Sequence, residues 1–146
     1  MAVGGFDPKS NSIKLGTVNF DPQVLCHEIF HAYEHAMGRE VNTQAAEVQA
    51  RLFATYIGCN LFGKEGWDTI PFCDQITVYP DNGIPANLFN AAAFGIIDNG
   101  FSLPDYIDCV NWFSTGCCHG GAYKGIPLGC LDIEPLILNI IPSRKK

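Results

Sequence analysis

A helix-dominated α+β fold, with a small sheet before and beside the first long helix and a second helix returning antiparallel to it, is the class this sequence predicts. Three observations point there. Helix starts and stops of the right chemistry recur along the chain, two short stretches alternate polar and apolar residues as strands do, and only a short loop separates the first two helical segments.

Ser12-Ile13-Lys14-Leu15 alternates, and after Gly16 comes Val18-Asn19-Phe20, which together predict a short strand pair or a bent strand. Asp21-Pro22 then opens a helix, because an Asp side chain caps a free N–H and a proline ring presets φ at the first helical position. That helix should run to about Met37, with Gly38 as its stop. Asn42 or Thr43 caps a second helix over 44–57, closed by Gly58, and so short a loop makes antiparallel neighbours of the two. Gln75-Ile76-Thr77-Val78-Tyr79, bounded by Asp74 and by Pro80-Asp81-Asn82-Gly83, reads as a strand followed by a turn. Further helices are expected from Pro85 to near Gly100, from Ser102-Leu103-Pro104-Asp105 to about Phe113, and from Asp132 to Ile141.

No repeat or linker divides the 146 residues, so one domain spanning 1–146 is expected. Apolar residues make up 47% and charged residues 16%, enough to build a core without staples. A net charge of −6 with nine Lys and Arg argues against a nucleic-acid partner. No run approaches the roughly 18 apolar residues of a membrane span, and Met1–Ser12 lacks a basic-then-hydrophobic leader, so the chain reads as soluble. The seven cysteines, odd in number and irregularly spaced, do not form a disulfide framework and are expected as reduced thiols. Cys117-Cys118-His119, with Cys109 and Cys130 nearby, is a faint second metal motif.

The stretch with specific chemistry is His27-Glu28-Ile29-Phe30-His31. In a chain of this composition chance yields roughly 0.004 His-Glu-x-x-His matches. On a helix, positions four apart are separated by about 400° of turn and ~6 Å of rise, so both imidazoles leave one face and can share an ion. Glu28, about 100° round from His27, is placed to reach a water on that ion rather than the ion itself.

A catalytic zinc takes three protein ligands and keeps a fourth position for water. Glu47 is the strongest candidate for the third, because it sits in the first turns of the returning helix, with Ala50, Ala54 and Gly58 on or near its face to permit close approach. His35 lies about 12 Å along the axis from His27, too far for one straight helix to wrap three imidazoles round an ion. Glu34 and Glu40 are the remaining carboxylates within reach. Position 34 holds Glu and position 37 Met, which excludes the metzincin pattern of Gly and His there.

Over about Ile13 to Ile57 the chain resembles a zincin metallopeptidase of the gluzincin type, in which an HExxH helix is followed by a helix that supplies a glutamate. Leu25-Cys26-His27-Glu28-Ile29-Phe30-His31-Ala32-Tyr33-Glu34 is similar to the active-site helix of compact bacterial toxin-like or effector-like domains. The resemblance implies a minimal zincin-like domain, a zinc cofactor, a peptide or protein substrate laid along the strand before the helix, and Glu28 as base and then acid. The interval from His31 to Glu47 is short, which departs from the larger members. Many zincins add a downstream His or Tyr for the oxyanion, and His119 and Tyr123 are the candidates, with Tyr79 and Tyr106 also at hand.

Two rival readings share the motif. A deformylase-like amidase would take a cysteine as third ligand, Cys59 or Cys73, and a non-catalytic zincin-like interaction module would need no base, although Glu28 is retained. A carboxylate-bridged di-iron bundle needs Glu-x-x-His on two helices, and Glu28-x-x-His31 is the single copy here. Phe30, Phe53, Trp67, Trp112 and Phe113 read as core.

Overall fold

Asp7 starts the first turn: its carboxylate accepts from Lys9 N at 3.0 Å and from Ser10 Oγ at 2.8 Å, and Asn11 completes the reversal at φ 50°. The computed structural model describes residues 4–15, 22–41, 43–62, 86–116 and 135–144. Strands β1 (Gly4–Asp7) and β2 (Ser12–Leu15) flank this turn as an antiparallel pair in the register Gly4 with Leu15 and Phe6 with Ile13. The strand expected at 12–15 is therefore present, but its partner lies upstream. Phe6 stacks at 5.6 Å on the ring of His35, which carries the hairpin against the helix that follows. Val18–Phe20 and the strand expected at 75–79 lie outside the described residues.

Helix α1 (Pro22–Ala36) begins with proline at its first position, as expected. It ends in a left-handed cap. Gly38, at φ +76°, donates to His35 O at 3.0 Å, and Arg39 N reaches Glu34 O at 2.9 Å, the paired bonds of a Schellman motif. Thr43 caps α2 (Gln44–Phe62), its Oγ1 accepting from Ala46 N at 3.0 Å. The helix runs on past Gly58, which does not act as the expected stop; an internal glycine costs only about 1 kcal/mol and does not end a helix by itself.

Helices α3 (Ala86–Asn99) and α4 (Leu103–Gly116) pack on each other and on α2. The start expected at Ser102 is present, its carbonyl accepting from Tyr106 N at 2.9 Å, and α4 continues beyond Phe113 to Gly116. The helix expected over 132–141 is instead a short 3-10 turn, η1 (Leu136–Asn139), entered from an extended Pro135. Beyond it the chain bridges Phe101 to Ser143, and Arg144 binds Asp105 Oδ2 at 2.6 Å and Gly95 O at 3.2 Å.

The core gathers Phe30 from α1, Val48 and Leu52 from α2, Ala93 and Ile96 from α3, Tyr106 and Val110 from α4, and Ile137 and Ile141 from the C-terminal segment. Gln49 stitches three of these pieces together: its Nε2 donates to Tyr106 Oη at 3.1 Å and its Oε1 accepts from Ile137 N at 3.2 Å. The molecule is α+β and helix-dominated. Among the described residues no helix is long and apolar enough to cross a membrane.

Candidate metal centre

α1 and α2 make the most extensive packing contact among the elements, and the site lies between them. Because Thr43 begins α2 immediately after the reversal, Glu47 sits in the first turn of that helix, beside the middle of α1. His27 and His31, one turn apart, present their Nε2 atoms 3.1 Å from each other with the rings at 84°. Glu47 closes the triangle, Oε1 at 2.9 Å from His27 Nε2 and Oε2 at 3.0 Å from His31 Nε2. Among the described residues these three are the group of His, Cys, Asp and Glu side chains arranged to hold a metal ion.

The donor types are those a zinc ion accepts. Two imidazole nitrogens and a carboxylate are a catalytic-type ligand set, and a tetrahedral ion with bonds near 2.0 Å separates its ligands by roughly 3.3 Å, close to the 3.1 Å between the two imidazole nitrogens, while Glu47 offers a different oxygen to each of them. Proton placement agrees. His31 Nδ1 lies 2.9 Å from Glu34 Oε1, so a neutral His31 keeps its proton there and turns a lone pair from Nε2 towards Glu47 and His27. Lone pairs then face one another unless a cation or extra protons lie between them. Without an ion, protons take that place. Burial works against a charge on His31, but its bonds to Glu34 and Glu47 prevail and lift its pKa up to about 10.

The same balance acts on the two carboxylates with opposite results. Burial pushes Glu34 up to about 7, its bond to His31 opposing. In Glu47 burial would raise the pKa too, yet the charge and hydrogen bond of His27, the bond to His31 and the charge of Arg51 hold it well below the usual carboxylate range.

Glu28 is the next residue outward. Its Oε1 is 4.0 Å from His27 Nε2, beside the triangle without belonging to it, and it is buried to all but 8%. That is where a base acting on a water at the site is needed.

The other sequence candidates separate cleanly. Glu34 faces the far nitrogen of His31 and is not among the converging donors. His35 is exposed against Phe6, and Glu40 is exposed in the loop. Tyr106 is fully buried with its hydroxyl on Gln49, inside the core, and is not among the converging donors. Cys109 is buried in the same core, where burial and then Asp105 and Asp108 raise its thiol. Cys26 is half-buried and outside the converging group. His119, Tyr123, Tyr79, Trp67, Cys73, Cys117, Cys118 and Cys130 lie outside the described residues, as do the side chains of Cys59, Trp112 and Phe113. Arg51, not singled out in the sequence, places Nη2 3.3 Å from Glu47 Oε1; its signal was the i, i+4 spacing from Glu47.

Comparison with models of known families, with curated proteins and with solved structures found no match.

Proposed function

We propose that the chain is a zinc-dependent hydrolase of peptide bonds, in which His27, His31 and Glu47 hold the ion and Glu28 moves the proton. One observation carries this reading: two imidazole nitrogens and a carboxylate converge to within 3.1 Å of one another with a further buried carboxylate, Glu28, beside them. When bound there, a zinc ion supplies an electrophile for the scissile carbonyl and an acidified water.

The chain's own residues do the rest. Glu28 accepts a proton from the attacking water at its carboxylate and returns it to the leaving amine, so that one residue serves both halves of the reaction. Its partly shielded position raises the strength of each electrostatic contact at that point. Arg51, bonded to Glu47, keeps that carboxylate ionised and turned towards the histidines. Among the described residues the hairpin packed beside α1 is a two-stranded sheet, whose outer edges offer an extended peptide a place to add as a further strand. His119 and Tyr123 are the proposed oxyanion donors.

Metal analysis of the purified protein, combined with a peptidase assay of wild type and Glu28→Gln, tests the reading. One zinc per chain is expected in both, with activity in the variant lower by about 10²–10⁴-fold. A chain that takes up no zinc overturns the metal centre, and full activity in the variant overturns the mechanism.

A further inference from the structure

We infer that Glu34 is a positioning residue for the metal centre, fixing the tautomer and ring orientation of His31 from the side opposite the ion. The inference rests on the reading of His27, His31 and Glu47 as ligands.

An imidazole has two distinct nitrogens, and binding an ion through one requires the proton to sit on the other. In His31, Nε2 faces Glu47 Oε2 at 3.0 Å and His27 Nε2 at 3.1 Å, while Nδ1 lies 2.9 Å from Glu34 Oε1. A carboxylate accepts and cannot donate once ionised, so its presence at Nδ1 keeps the proton on that nitrogen and leaves Nε2 free to bind. The ring is also held in rotation, because Glu34 projects from the next turn of the same rigid helix at i+3.

Burial sets this contact apart from a polar residue facing solvent. Glu34 is 2% exposed, and removing a carboxylate from water is costly unless a partner compensates. Its side-chain hydrogen-bond partner among the described residues is His31. An apolar residue would fill the same space at lower cost if packing were the purpose. The contacts of His27 to His31, Glu28 and Glu47 are all made through Nε2.

The test compares full-length wild type with Glu34→Gln and Glu34→Leu, loading each with zinc in competition with a chromophoric chelator and with cobalt for its visible absorption spectrum. Melting of the metal-free proteins reports folding separately. Glutamine keeps the size and an acceptor oxygen but loses the charge, and leucine loses both. The expected result is a zinc dissociation constant raised about 10-fold in Glu34→Gln and about 100-fold in Glu34→Leu, with cobalt bands shifted in both. Zinc affinity and cobalt spectrum unchanged in Glu34→Gln overturn the inference while leaving the metal centre standing, even where metal-free melting shifts. A wild type that binds neither metal overturns the ligand reading itself, and this inference with it. Should Glu34→Leu fail to fold, Glu34→Gln decides the outcome, since it is nearly the same shape.

Discussion

Glu28, Glu34 and Glu47 are each less than a tenth exposed, yet the groups facing them divide their tasks. Glu47 meets two imidazoles and a guanidinium, Glu34 meets the far nitrogen of one imidazole, and Glu28 stands 4.0 Å off the nearest ligand nitrogen. On the proposed reading, removing Glu47 affects the ion directly. Glu47→Ala is expected to lower zinc affinity by about 100-fold or more, at or above the upper end of what outer partners contribute, and chelator competition measures it. Affinity within a few-fold of wild type would strike Glu47 from the ligand set. How much of this was readable from the sequence differs by residue. The two histidines and Glu28 follow from helical spacing alone, and Glu47 follows from a second helix returning close by. The part played by Glu34 does not, because spacing says that residues 31 and 34 are neighbours but not which nitrogen of the ring faces which way.

At the scale of elements, the site depends on ending α1 in time for α2 to bring Glu47 back alongside it. Gly38 makes that stop at φ +76° with open space around its Cβ position, so an alanine there meets only the left-handed backbone penalty, roughly 1–2 kcal/mol. Gly100 also has a positive φ, +98°, but its Cβ position lies 2.9 Å from Arg144 Cα and 3.0 Å from Pro142 O. Gly100→Ala must both strain its own backbone and push apart the bridge between Phe101 and Ser143, so its loss should exceed that of Gly38→Ala and surpass ~2 kcal/mol. Denaturant midpoints of the metal-free variants compare the two directly; equal losses would deny the close approach at Gly100. The helix starts were legible here because Pro22 and Thr43 act through their own side chains. The strand β1 was not, since Gly4-Gly5 reads as a breaker and gains its place only from Phe6 opposite Ile13 and against His35. Gly58 misled because one internal glycine costs a helix only about 1 kcal/mol, too little to end it unaided.

For the whole molecule, the metal-free centre couples stability to pH, and on the proposed reading zinc competes with the same protons. His31 is faced by His27, Glu34 and Glu47, with Arg51 on the outer side of Glu47. Its folded pKa, about 10 against an ordinary 6.5, means that the metal-free fold keeps a proton the unfolded chain has released. That contribution is whole below pH 6.5 and is lost as pH rises through about 10. Glu34, raised from 4.5 to about 7, adds a loss of the same sign over that interval. Glu47, held low, acts oppositely: its contribution is present above 4.5 and disappears only in acid. With respect to these three groups, the metal-free protein should melt at steadily lower temperature as pH rises from about 4.5 to 7 and on towards 10. Zinc must displace the protons on the same nitrogens, so its affinity and the stabilisation it brings increase as those protons leave. The gap in melting temperature between zinc-saturated and metal-free protein is therefore expected to widen with rising pH. Calorimetry of both forms across that range measures it, and a gap that stays constant or narrows would mean that protons and the ion do not compete for one set of donors.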